Sequence, residues 1–158
     1  MNDLFKKIKL KSLLFHVLVP MMLVFTIMML IPDYKEFLGT INKPLELPDI
    51  TFVIVWPILY VLMGISAYIV DQKEGNDINL AMKMYYLQLI LNIIYPIVFF
   101  YLHSFVFGAI ITLAILIILV HMMLRFYKIN KVSFYLLIPY LLWMLIANYL
   151  QLGIYYLN

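Results

Sequence analysis

The chain has no cysteine. That excludes disulfide staples, a thiol nucleophile and a thiolate metal site. Charge is almost as scarce. Only 12% of the 158 residues are charged and 66% are apolar, whereas a soluble domain carries about 25% charged residues. The mean hydropathy of +1.03 therefore describes a chain shaped by lipid. Lys, Arg, Asp and Glu are absent from Met84 to Leu124 and again from Phe134 to Asn158. Pumps and proton-coupled carriers keep ionisable residues at membrane depth as relays, so their absence argues against active transport by that route. His16 and His121 fall in different apolar runs and His103 falls in a turn. None has metal-ligand spacing, and no metal is expected. The net charge of +3 gives no reason to expect nucleic acid, because the basic residues sit at segment ends.

What is present is length of apolar sequence. A spanning helix needs about 20 such residues, and five stretches qualify: Ser12–Ile31, Ile50–Val70, Leu80–Tyr101, Phe105–Tyr127 and Phe134–Leu157. The breaks are Pro32–Asp49, Asp71–Asn79, Leu102–Ser104 and Lys128–Ser133. The expectation is one all-α integral membrane domain over 1–158. The basic start Met1–Lys11 resembles that of a signal peptide, but the following run lacks a small-residue cleavage site, so it is expected to stay as the first helix. With the N-terminus inside, the inner segments hold Lys6, Lys7, Lys9, Lys11, Lys73, Lys83, Arg125, Lys128 and Lys131, and the outer ones only Lys35 and Lys43. This bias predicts N-in, C-out. The loop Pro32–Asp49 then lies outside, and its apolar Phe37, Leu38 and Ile41 favour a lid over a tether.

Three spans carry faces of a distinct kind. Phe52, Trp56 and Tyr60 recur every fourth residue, beside Pro57 and Gly64. Tyr85, Gln88, Asn92, Tyr95 and Phe99 follow helical spacing in the third span, beside Pro96. Tyr140, Trp143, Ala147 and Gln151 do so in the fifth, with Pro139 at its shoulder. At about 1.5 Å per residue, Trp56 lies about 9 Å below the outer end of its span, Tyr60 about 15 Å, Asn92 about 14 Å, Tyr95 about 9 Å, Ala147 about 15 Å and Trp143 about 21 Å. Trp56 alone fits an interfacial belt, but Trp143 is too deep for one. Two readings stand together. Gln88 and Asn92 can be interhelical glue, or the faces can wall a mostly apolar cavity with a few neutral hydrogen-bonding groups under the outer loop.

These motifs resemble the TspO/MBR family, the tryptophan-rich sensory proteins and translocator proteins also called peripheral-type benzodiazepine receptors. The resemblance runs from about residue 12 to the end. It rests on Phe52-x3-Trp56-x3-Tyr60-x2-Met63-Gly64, on Gln88-x3-Asn92-x2-Tyr95-x3-Phe99-Phe100-x2-His103, and on Pro139-Tyr140-x2-Trp143-x3-Ala147-x6-Ile154-x2-Leu157-Asn158. It implies a five-helix fold, commonly a homodimer, with no required cofactor. It also implies a cavity for porphyrins, haem-like tetrapyrroles, sterols or synthetic aromatic ligands. The implied pocket positions are Trp56, Tyr60, Asn92, Tyr95, Trp143 and Ala147, with Phe52, Phe99 and Tyr140 on the same faces. Some members degrade bound porphyrin in light, using tryptophans at the positions of Trp56 and Trp143, so these two are also the candidate catalytic residues.

The chain departs from the family pattern in the loop. Phe37-Leu38 stands where Trp-Tyr is usual, Glu46 stands in an aromatic position, Pro48-Asp49 replaces a second Pro pair, and Gln151 stands where Asn is frequent. An acid in the lid repels porphyrin carboxylates when nearby and poorly screened. The expected function is a binding or sensory membrane protein for a flat hydrophobic ligand. The alternatives are a light-dependent porphyrin-degrading enzyme, a passive transporter, and a structural or partner-binding protein. Gly108-Ala109, Ala114 and Gly153 are the small residues available for helix pairing between copies. The absence of a transit peptide and the abundance of Ile, Lys, Asn and Tyr point to a bacterial plasma membrane.

Overall fold

A computed structural model of the protein describes residues 9–158; Lys6 and Lys7, counted above among the inner charges, lie outside the described residues. The chain is an all-α integral membrane protein. Five helical segments are long and apolar enough to cross a bilayer. The elements are α1 (Leu10–Met29), α2 (Tyr34–Thr40), α3 (Asp49–Asp71), α4 (Asn76–Pro96) continued by a π turn (Ile97–Tyr101), α5 (Phe105–Ile129), α6 (Lys131–Leu136) and α7 (Ile138–Leu157).

Prolines explain most departures from five plain helices. Pro96 has no N–H, which frees the Asn92 carbonyl. Beyond it the chain winds as a π turn that ends on the bond from Leu102 N–H to the Ile97 carbonyl, 3.0 Å. The fifth span, expected as one helix from Phe134, instead breaks at Leu137 into α6 and α7, with Pro139 in the first turn of α7. The outer loop, expected as a lid, contains the short helix α2. α4 begins a turn before its apolar run, with Asp77 in the first turn, where the helix dipole favours an acid.

Neighbouring segments close into a ring in the order α1, α3, α6–α7, α5, α4 and back to α1. Close backbone approach sets two of these contacts. A Cβ on Gly64 of α3 would lie 2.5 Å from the His16 carbonyl oxygen of α1. That carbonyl is itself special, because Pro20 removes the N–H it would have bonded. Tyr85 of α4 supplies the missing donor, its hydroxyl 3.0 Å away. On the other side, a Cβ on Gly108 of α5 would stand 2.7 Å from Gln151 Nε2 of α7. α6 is tied to α3 by the Ser66 hydroxyl donating to the Ser133 carbonyl at 2.7 Å.

The two ends of the ring differ. At the inner end the Lys9 backbone N–H donates to the Tyr68 hydroxyl at 3.0 Å. At the outer end the loop before α3 is clasped to the end of α7. The Asn42 N–H donates to Asn158 Oδ1 at 2.9 Å, and Asn158 Nδ2 returns a bond to the Asn42 carbonyl at 2.9 Å. Pro44 fills the space above Gly153. The core between the ends is mainly apolar. Met63, Ala67, Val70, Ala81, Leu119, Met122, Phe126 and Leu137 are buried in its inner half.

Candidate functional site

α4 and α7 hardly meet through their backbones. Long side chains bridge them, and these are the residues that the sequence singles out. Tyr140 of α7 reaches between Gln88 and Asn92 of α4. Its oxygen accepts from Gln88 Nε2 at 3.0 Å and from Asn92 Nδ2 at 2.9 Å, and its O–H donates to Asn92 Oδ1 at 3.2 Å. A phenol has one donor and two acceptor sites, so Tyr140 is fully used. Asn92 also donates to the Gln88 carbonyl at 2.7 Å. All three residues are buried. The interhelical-glue reading describes these bonds, which use the neutral polar groups on one another. Gln88 keeps one buried atom, Oε1, without a hydrogen-bond partner among the described residues.

On the α3 side of this triad lies the first aromatic cluster. The Trp56 and Tyr60 rings stack at 5.8 Å between centroids. Trp143 meets Trp56 edge to face at 6.5 Å and Phe52 at 5.7 Å. Tyr60 and Trp143 are buried, Trp56 is half-buried, and Phe52 is 37% exposed at the lipid side. The Trp143 Nε1–H is buried and has no acceptor among the described residues. Ala147 is half-buried, one helical turn above Trp143, and packs against the core. Between α3 and α7 an apolar groove of about 320 Å³ opens to the lipid face, lined by Val55, Ile58, Leu59, Pro139, Leu142, Trp143 and Ile146.

Tyr95 and Phe99 belong elsewhere, so the single aromatic wall expected from sequence divides in two. Tyr95 stacks on Phe99 at 5.6 Å, and its hydroxyl donates to Gln151 Oε1 at 2.8 Å. Phe99 lies on the π turn. Phe37 of the outer loop packs on it at 5.5 Å, stacks on His103 at 4.2 Å and lies 6.1 Å from Phe105. Phe37 thus closes over the outer end. His103 sits at φ 52°, in the left-handed region, where a non-glycine residue is uncommon.

Several contributors escaped sequence reasoning. Gly108, Ala109 and Gly153 stood out as candidates for pairing between copies. Within the chain Gly108 seats Gln151 and Phe99, Gly153 seats Pro44, and Ala109 is buried. The Pro44-to-Gly153 and Asn42-to-Asn158 contacts span more than a hundred residues and have no local signal. A glycine near the outer end of α7 was the one available hint. The groove residues Ile58, Leu142 and Ile146 are ordinary membrane aliphatics with nothing to mark them.

Comparison with known proteins agrees with this architecture. The model of the TspO/MBR family matches residues 13–157. The chain is 33% identical over 113 residues to the tryptophan-rich protein TspO of Chlorobaculum tepidum, covering 70% of this chain and 72% of that one. It is 33% identical over 111 residues to the tryptophan-rich protein TspO of Archaeoglobus fulgidus, with the same coverage. With the protein CrtK of Rhodobacter capsulatus it shares 26% over 113 residues, covering 70% and 71% of the two chains. Five apolar spanning helices and a family match over nearly the whole length identify this multi-pass membrane protein as a member of the TspO/MBR family.

Proposed function

We propose that the protein is a membrane receptor or translocator for a flat hydrophobic ligand of the porphyrin type, bound against Trp56 and Trp143. Membership of the family supports a sensory or translocator role. The observation that carries the ligand class is the edge-to-face contact of the two indoles, brought together from different spans, with Trp143 also lining a lipid-facing groove. Behind them stand only neutral groups, those of Tyr60, Gln88, Asn92 and Tyr140. A broad aromatic wall with few polar atoms suits a planar macrocycle better than a polar metabolite. Titrating purified protein with protoporphyrin should quench tryptophan fluorescence saturably, and Trp143→Phe should weaken binding. A strictly linear, unsaturable response to both protoporphyrin and its dimethyl ester would refute the proposal. A prokaryotic plasma membrane and assembly as a homodimer belong to the same reading; cross-linking in native membranes tests the second.

The contact between Trp56 and Trp143 also favours a second reading, light- and oxygen-dependent breakdown of the bound porphyrin. Illumination should then yield a bleached product in the wild type. Equal bleaching by Trp56→Phe and Trp143→Phe would remove the indoles from that chemistry.

A further inference from the structure

The geometry points to an uncharged ligand that enters sideways from the bilayer through the groove between α3 and α7, rather than a carboxylate-bearing ligand that enters from outside beneath the loop. This rests on the reading above and narrows it, naming the charge class and the route.

Three observations meet here. The first is where the groove lies and what it is made of. Its α7 wall, Pro139 to Ile146, lies roughly 16 to 27 Å below the end of α7 at Leu157. Its rim residues Ile58, Leu142 and Ile146 are 53%, 56% and 42% exposed, on helices that cross the membrane, so their exposed surfaces face lipid. The site is thus continuous with the acyl-chain region. No residue of α7 is charged, and α4 carries no charge after Lys83. A carboxylate carried to this depth has no cation to pair with, and burying an unpaired charge costs several kcal/mol. A neutral ligand carries no such penalty.

The second observation is the closure of the outer end. Asn158 holds both the N–H and the carbonyl of Asn42, Pro44 is seated over Gly153, and Phe37 is stacked on His103 and packed on Phe99. A ligand entering beneath the loop must break all of these. A ligand in the groove breaks none of them.

The third observation is charge on the loop. Lys35 and Lys43 stand against Asp33, Glu36, Glu46 and Asp49. The excess is acidic, and it acts on anything approaching within about 10 Å of the outer end. A dicarboxylate meets repulsion there and then an uncharged interior.

The experiment uses the full chain in liposomes, with protoporphyrin and its dimethyl ester as probes and saturable tryptophan quenching as readout. The ester should bind about tenfold more tightly, a difference of about 1.4 kcal/mol. Equal affinity, or tighter binding of the free acid, overturns the charge assignment. Saturable binding of neither probe instead refutes the function proposed above. For the route, the absence of native cysteine makes a P44C/G153C disulfide clean. The two Cβ positions lie 2.5 Å apart, so the bond needs only a small outward shift. Oxidised protein should take up the ester as fast as the same protein reduced. A rate that falls severalfold on oxidation and recovers with dithiothreitol places the route under the loop and overturns the proposal. Conversely, Ile58→Phe with Ile146→Phe narrows the groove at two lipid-exposed positions and should slow uptake severalfold. Unchanged uptake by that variant would equally overturn it.

Discussion

The two aromatic clusters are built from similar residues and held in opposite ways. The cluster of Phe52, Trp56, Tyr60 and Trp143 sits on two continuous helices, borders lipid, and is backed by the bonded triad of Gln88, Asn92 and Tyr140. The cluster of Phe37, Tyr95, Phe99, His103 and Phe105 sits on a loop, a π turn and two helix ends, and closes the outer mouth. One is fixed by helix packing and opens sideways. The other depends on a loop that must stay docked. A stripe of aromatics at matched depth can thus serve two separate purposes, and the triad between α4 and α7 is where they part.

The largest expected effect breaks the frame that both clusters share. Gly64→Val places carbon against the His16 backbone, which cannot yield as a side-chain tip can. A loss of about 3 kcal/mol is expected, read as a fall in the thermal midpoint in detergent, and both clusters should loosen together. Tyr140→Phe comes next. It leaves Gln88 Nε2 and Asn92 Oδ1 without their partner, while Asn92 keeps its bond to the Gln88 carbonyl, and leaving buried polar groups unpaired costs about 2 kcal/mol. Quenching at Trp143 should change while the docking of Phe37 does not; an unaltered midpoint would show that the triad does not hold α4 to α7.

Phe37→Ala separates the clusters from the other side. Removing a half-buried ring from a loop should cost about 1 kcal/mol. Limited proteolysis within residues 32–49 should accelerate, with the tryptophan emission maximum unchanged. The smallest effect is expected for Phe52→Ala, about 0.5 kcal/mol, because this ring already faces lipid over much of its surface. If Phe52→Ala instead rivals Tyr140→Phe, the lipid-side cluster is a structural keystone and the contrast fails.

Much of the site was legible from spacing. Gln88 and Asn92 share a face at four residues' distance, and that face does meet Tyr140, one of the named residues. Tyr95 and Phe99 continue the same face by number. In the structure these two stack on each other, and Phe99 meets Phe37 of the loop instead of Trp56. Phe37 was legible as an apolar residue seeking a surface, but not which surface. Gly153 has no unique reading in sequence, because a small residue on a membrane helix admits any close neighbour, whether a second copy or a distant proline of the same chain.

By itself the sequence determined the number of spans and the absence of charge from the interior. Each of these follows from the cost of placing a polar group in hydrocarbon, a property of single residues and short windows. Tertiary structure alone decided which face of each helix turns inward, that the aromatics divide into two clusters, and that the groove lies between α3 and α7. In lipid both faces of a helix are apolar, so hydrophobic periodicity cannot tell inside from outside. That choice fell to steric facts with no local signature: the backbone contact at Gly64, the space beside Gly108 and the seat of Pro44 on Gly153.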